Sequence, residues 1–260
     1  MESFDAPAVS GLNGRVAVIT GAGQGLGRAF AHAFAAGGAI PIIAEVDAAK
    51  AAKVATEISA LKRRVLAVPC DVTHADSVAA MTKRVLTEFG HIDILVNNAA
   101  IFSTIVMRPF DEIPLSEWER VLRVNVTGVF LCSAAVAPIM REARWGRIIN
   151  MSPGAVTLGR PNYLHYVTSK SALIWMTNSL ARELGGYGIT VNAIMPGPVF
   201  TEIPRATVTP EQKEKLVAAQ CIARPQTPDD LLGTVLFLAS DASAFLTGQS
   251  ITVDGGCTHP

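Results

Sequence analysis

The chain has 260 residues, half of them hydrophobic and 17% charged, which is ample material for one large buried core. Lys+Arg and Asp+Glu both total 22, so the formal net charge is zero, which argues against a nucleic-acid binder that relies on bulk positive charge. The acidic start MESFDAPAVSGLNG lacks an apolar signal segment, and no uninterrupted run of about 20 apolar residues marks a membrane span, so a cytoplasmic protein without a membrane anchor is expected. Cys70, Cys132, Cys221 and Cys257 form no CxxC pair and fit no zinc spacing, so reduced thiols and no metal site are expected.

In chain order, an N-terminal arm (residues 1–12) precedes a short apolar strand at Val16–Thr20 that stops at glycines. A helix-period segment follows at Gly25–Ala36, then a strand at Ile40–Ala44, with Pro41 expected at its start because proline cannot donate to a ladder. Helix is predicted over Ala48–Leu61, strand over Val65–Val68, helix over Ala75–Phe89, and strand over Ile92–Val96. A long helix at Ser116–Arg141, a strand at Gly146–Met151 and a helix at Tyr163–Gly185 come next. Strand Ile189–Ile194, helix Pro228–Ser240 and strand Ser250–Val253 complete the chain.

Short strands alternating with helices predict an α/β fold. The expectation is a single doubly wound Rossmann-type domain over residues 1–260, with a mostly parallel seven-stranded sheet. Residues 101–115 and 198–228 show little regular pattern. Both follow strands, and ligands in open α/β sheets sit beyond the carboxyl ends of the strands, so both are candidate substrate loops.

The first strand runs into Thr20-Gly21-Ala22-Gly23-Gln24-Gly25-Leu26-Gly27. Glycine is needed where the backbone takes positive φ and where it approaches a pyrophosphate. The helix that follows aims N–H groups and partial positive charge at those phosphates. No Gly-Lys-Ser/Thr follows, so a kinase-type phosphate loop is excluded. Glu45 stands at the end of the second strand, where an acid bonds the adenosine ribose, and the next residues are Val46 and Asp47 rather than a base. NAD rather than NADP is therefore the expected cofactor.

With these residues in place the sequence resembles the short-chain dehydrogenase/reductase family over about residues 12–257. The likeness rests on TGAGQGLG at Thr20–Gly27, CDV at Cys70–Val72, NNAA at Asn97–Ala100, Asn125 in VNVTG, YVTSK at Tyr166–Lys170 and VNAIMPGPVFT at Val191–Thr201. The resemblance implies that Gly21, Gln24, Gly25, Leu26 and Gly27 cradle the cofactor phosphates. It implies that Asp71 and Val72 hold the adenine, and Asn98 and Ala99 the adenosine ribose. Pro196, Gly197, Val199 and Thr201 would wrap the nicotinamide end. It also implies pairing of subunits through the helices at Ser116–Arg141 and Tyr163–Gly185, giving a homotetramer or homodimer.

The expected reaction is hydride transfer between NAD(H) and a secondary alcohol or ketone, a small molecule of fairly apolar character. Reducing a ketone leaves an alkoxide that must be protonated, and oxidation needs the reverse. Tyr166 can do this if its pKa falls from about 10 towards neutrality, which takes roughly 4 kcal/mol from a nearby cation. Lys170, four residues on along a helix, faces the same way and would also bond the nicotinamide ribose. By resemblance Asn125 anchors a water linking Lys170 to solvent; read alone, it is a kink or packing residue.

The family's serine, thirteen residues before the tyrosine, falls on Pro153, and Ser152 is one residue early. Two arrangements stay open. Either Pro153 ends the strand and turns Ser152 into the site as a catalytic donor, or a water or the backbone N–H near Gly154 holds the substrate oxygen. His165 is a candidate pocket residue, and Phe102, Ile105, Met107, Leu158, Tyr163, Val199 and Phe200 are candidates for an apolar wall. Other readings weighed are a 3-oxoacyl-thioester reductase, a lyase or isomerase using tightly held NAD, and a dinucleotide-binding regulator.

Overall fold

The computed structural model describes residues 11–154, 159–203 and 209–258. Seven strands form one sheet, in the order β3-β2-β1-β4-β5-β6-β7, and every pair is parallel. They are β1 Val16–Thr20, β2 Ile40–Glu45, β3 Leu66–Pro69, β4 Ile94–Asn97, β5 Gly146–Met151, β6 Ile189–Pro196 and β7 Ser250–Val253. Five of the helices are α1 Gly25–Ala36, α2 Ala48–Ala60, α3 Ala75–Phe89, α4 Leu115–Leu122 and α5 Gly128–Ala143. The last three are α6 Leu164–Leu184, α7 Pro210–Ala218 and α8 Asp229–Ala239.

A strand with helices on both sides must bury both faces, and β1 does so residue by residue. Ala17 and Ile19 face one core with Phe30 and Phe34 of α1 and Leu231 and Val235 of α8. Val16 and Val18 face the other, with Met81 of α3 and Cys132 and Val136 of α5. Phe30 and Phe34, one turn apart, are fully buried, each contributing about 2 kcal/mol by burial. This is the two-sided arrangement that the alternation of elements predicts.

Pro41 lies inside β2, one residue later than the expected start. The Ile40 N–H donates to Arg15 O of the chain entering β1, so the next residue's nitrogen points towards β3. Pairing with β3 begins only at Ile42, so a missing N–H at Pro41 breaks no ladder bond.

Two departures matter for the site. The expected long helix is interrupted by a π-turn at Arg123–Thr127, with buried Asn125 at its centre. From Leu115 to Ala143 its 29 residues are long and apolar enough to cross a membrane by composition, but one side packs into the core through Cys132, Val136 and Met140. Second, residues 198–228 carry an unexpected helix, α7. Its start was readable: Thr209 accepts from the Gln212 N–H, the Gln212 side chain accepts from the Thr209 N–H, and Pro210 opens the helix.

Candidate active site

A cavity of about 680 Å³ opens where the strand order reverses between β1 and β4. Glu45, Asp71 and Val72 line one end. Gly21, Gln24, Leu26, Asn98 and Ala99 line the middle, and Tyr166, Lys170, Pro196, Gly197, Val199 and Thr201 the other end. Gly25, Gly27, Asn125 and Ser152 are not on its wall.

The glycines are required by close approach. A Cβ on Gly21, at φ +64°, would stand 2.8 Å from Ala99 Cα, and one on Gly27 would stand 2.3 Å from Gly21 O. Behind this turn the Asn98 Nδ2 donates to Thr20 O and Gly21 O at 3.0 and 3.1 Å, tying the end of β4 to the end of β1. Gln24 is the N-cap of α1 and gives no side-chain cap, so the first-turn N–H groups have no intrahelical acceptor; that of Gly25 donates to Glu202 Oε1. That is a cradle for an anion.

Glu45 is buried at the edge of this cradle. Its Oε2 accepts from the Gly23 N–H at 3.0 Å, and its Oε1 from the N–H groups of Val46 and Asp47 at 3.0 and 3.3 Å. Gly23 must be glycine, because a Cβ would come within 2.9 Å of Glu45 Cγ. At the neighbouring wall Asp71 Oδ1 accepts from the Thr73 N–H and hydroxyl at 2.9 and 2.7 Å. The Thr73 hydroxyl, with help from the Thr73 N–H and His74, holds this carboxyl below the usual range. Asp71 is thus a turn former as well as a wall residue, and Val72 packs on Gly128 beside it.

At the far end Tyr166 and Lys170 lie one turn apart on α6. Tyr163 steadies the tyrosine, its ring centroid 4.7 Å away and its hydroxyl donating to Phe102 O at 3.0 Å. Lys170 is 2% exposed, and its Nζ donates to Met151 O at 3.0 Å. Burial pushes its ammonium pKa down to about 8. Ile101, Phe102, Pro153 and Val199 give this end an apolar wall.

The residues therefore fit an extended dinucleotide: an acid at the ribose end, a glycine-helix cradle in the middle, and a tyrosine–lysine pair at the end. Residues 21–258 match the family model described as Enoyl-(Acyl carrier protein) reductase. The chain is 42% identical to galactitol 2-dehydrogenase of Agrobacterium fabrum, over 94% of this chain and 98% of that one. It is 38% identical to 3-oxoacyl-[acyl-carrier-protein] reductase of Synechocystis, over 95% and 98%. A 7α-hydroxysteroid dehydrogenase solved with NADH and 7-oxo glycochenodeoxycholic acid superposes with a TM-score of 0.90 at 33% identity, covering 96% of each chain.

The chain belongs to the short-chain dehydrogenase/reductase family.

As a member of that family it is an oxidoreductase acting on CH–OH groups, and its departures from the family pattern are informative. Ser152 is wholly buried and absent from the cavity wall, whereas Pro153 is on it. β5 ends at Met151, but the backbone bonds to β6 continue past it, with the Ser152 N–H donating to Ile194 O at 2.9 Å; the Ser152 hydroxyl donates to Lys170 O at 2.8 Å. Adjacent strand residues face opposite ways, so the rescue by Ser152 is corrected: it positions α6 from behind. The Gly154 N–H is committed as well, donating to Pro196 O at 2.8 Å. We expect Ser152→Ala to leave kcat within about twofold while costing about 1 kcal/mol of stability for the lost buried bond. Pro153→Ser should raise kcat/KM on simple ketones about tenfold by restoring a donor. A large kcat loss in Ser152→Ala would contradict this placement.

Asn125 bonds the backbone of Ile101 and the hydroxyl of Ser169. Its Oδ1 accepts from the Ile101 N–H at 2.8 Å, and its Nδ2 donates to Ile101 O and Ser169 Oγ, both at 3.1 Å. The side chain thus pins the NNAA segment to α6, and the kink reading is realised in the π-turn. His165 does not line the cavity: it is fully buried and pairs with Glu117 at 3.3 Å. Of the apolar candidates, Phe102 and Val199 reach the cavity. Ile105, Met107 and Tyr163 instead form a small core with Val121, Phe200 is off the wall, and Leu158 lies outside the described residues.

Several wall residues, Arg120, Ile101 and Ile203 among them, were not singled out from the sequence, and Lys50 is the one that bears on the choice of cofactor. Lys50, in the first turn of α2, lines the cavity beside Glu45, with its Nζ 3.8 Å from Asp47 Oδ2. Looking only at the residues directly after Glu45 misses it. The Asp47 cap, which accepts from the Ala49 and Lys50 N–H groups, is the signal that α2 starts there and turns Lys50 inwards.

Proposed function

We propose that this protein is an NAD-dependent dehydrogenase/reductase of a secondary alcohol or ketone with an apolar flank. The observation that carries this is the pairing, in one cavity, of Glu45 at one end with Tyr166 and Lys170 at the other. A nicotinamide dinucleotide, when bound, supplies or takes up the hydride. Tyr166 gives the substrate oxygen its proton in reduction and removes it in oxidation. Lys170, cationic below about pH 8, favours the ionised tyrosine and offers donors to the nicotinamide ribose. Asn125 and Ser152 hold the helix that carries this pair, Asn125 through the Ser169 hydroxyl and Ser152 through the Lys170 carbonyl. A second reading, a 3-oxoacyl-thioester reductase, is favoured by the likeness to the Synechocystis reductase.

NAD preference follows from charge. A 2′-phosphate at the ribose end would meet the carboxylates of Glu45 and Asp47, with Lys50 as partial compensation. We expect kcat/KM with NAD(H) to exceed that with NADP(H) at least about tenfold, roughly 1.4 kcal/mol. Glu45→Ala should narrow the gap, and Lys50→Ala should penalise NADP more than NAD. A clear NADP preference of the unaltered chain would overturn the cofactor assignment.

We further infer a cytoplasmic homotetramer or homodimer. Phe130 on α5 and Trp175 on α6 are 55% and 74% exposed on one side of the sheet, and Phe237 and Phe245 are exposed near α8 and β7. Two separate apolar faces favour the tetramer, since each can be self-complementary about its own two-fold axis. Light scattering at a monomer's mass would contradict this.

A further inference from the structure

Glu202, just beyond β6, belongs to none of the groups above. The Gly25 N–H donates to Glu202 Oε1 at 2.8 Å, linking residues 177 positions apart in the chain. Gly25 opens α1, so the carboxylate sits on the positive end of that helix. Its neighbour Ile203 lands on the same residue: a Cβ on Gly25 would meet Ile203 Cδ1 at 2.8 Å. The Ile203 N–H in turn donates to Thr201 Oγ1 at 3.2 Å, folding 201–203 into a tight turn. Thr201 and Ile203 line the cavity opposite Gly21, Gln24 and Leu26. The Gly25–Glu202 bond therefore bridges the two walls at the middle of the cavity, where the phosphates of an extended dinucleotide would pass.

We propose that Glu202 is a clasp, a positioning residue that holds the 201–203 turn against the glycine turn over the bound nucleotide and so slows its release. The proposal rests on the reading that the cavity holds a nicotinamide dinucleotide. A bond between the two walls must open before the nucleotide leaves. It touches neither Tyr166 nor Lys170, so it affects release and not proton transfer.

The test is NADH release from the full chain by stopped-flow fluorescence, for the wild type, Glu202→Ala and Glu202→Gln. The alanine variant loses a charge-assisted hydrogen bond that must open before the nucleotide leaves, so release quickens about fivefold to tenfold. Glutamine keeps an acceptor oxygen, so Glu202→Gln stays within about threefold of the wild type, since a neutral acceptor retains roughly half the bond's strength. In Glu202→Ala release quickens while kcat does not fall, and Glu202→Gln restores slow release, a split that a merely structural role would not give. Unchanged release in Glu202→Ala overturns the clasp. Tighter binding in both variants overturns it too, because the carboxylate would then act only by repelling the phosphates. A wild type that binds no reduced nucleotide overturns the cavity reading and the clasp with it.

Discussion

Tyr166→Phe is expected to lower kcat at least about a hundredfold while NADH binds within about twofold of the wild type, because general acid–base catalysis contributes on that scale. The phenylalanine ring keeps the packing against Tyr163, whose own hydroxyl is anchored on Phe102 O, so the cavity wall stays in place. What is removed is the hydroxyl assigned the proton exchange with the substrate oxygen, and Ser152 cannot substitute because its hydroxyl donates to Lys170 O. Steady-state kinetics with direct nucleotide titration separates the two effects. Near-normal turnover would mean that another group handles the proton.

Lys170→Met is expected to show an opposed pair of effects. Activity should fall at least about a hundredfold and NADH binding weaken, since one ammonium both favours the ionised tyrosine and serves the ribose. Stability without nucleotide should rise at neutral pH. Burial holds the Lys170 pKa at about 8, below the unfolded value of 10.5. Below about pH 8 both states carry the proton and the full cost of burying the cation is present. Between about 8 and 10.5 the unfolded chain binds more protons than the folded one, so wild-type stability rises with pH, and above that range the cost is gone. Methionine removes this cost with a similar volume, for a gain on the order of 1–3 kcal/mol at pH 7 that shrinks as pH rises. Thermal melts of both proteins across pH 7–10 read it out. A variant less stable than the wild type at pH 7 would show that the Met151 O bond outweighs desolvation.

How much of this was legible in the sequence depends on the range of the interaction. The glycine turn, α1 and the Tyr166–Lys170 pair were readable because local geometry dictates them: positive φ, 3.6-residue periodicity and an i, i+4 spacing. The orientation of Ser152 was not, because strand alternation and proline's restriction pull in opposite directions there. Beyond the end of β5 the Ser152 and Gly154 N–H groups still reach Ile194 O and Pro196 O, and this keeps the extended alternation through Ser152. The π-turn at Asn125 has no periodic signature, since it depends on the side chain finding Ile101 24 residues away. The Thr209–Gln212 capping box was readable and was passed over beneath a run of prolines. Glu202 could not be found at all, because nothing in the local chain shows that residues so far apart share a hydrogen bond.

Tyr166 handles the proton that accompanies hydride exchange at this cavity. The most direct measurement follows reduced nicotinamide by its near-ultraviolet absorbance, with a panel of apolar secondary alcohols and ketones, polyols and 3-oxoacyl thioesters, for the wild type and Tyr166→Phe. At least one substrate is expected to change the absorbance with the wild type, and Tyr166→Phe to lose about 99% of that rate while still binding NADH. A wild type that binds NADH tightly and turns over no member of the panel, or a Tyr166→Phe variant that turns over as fast as the wild type, would contradict it.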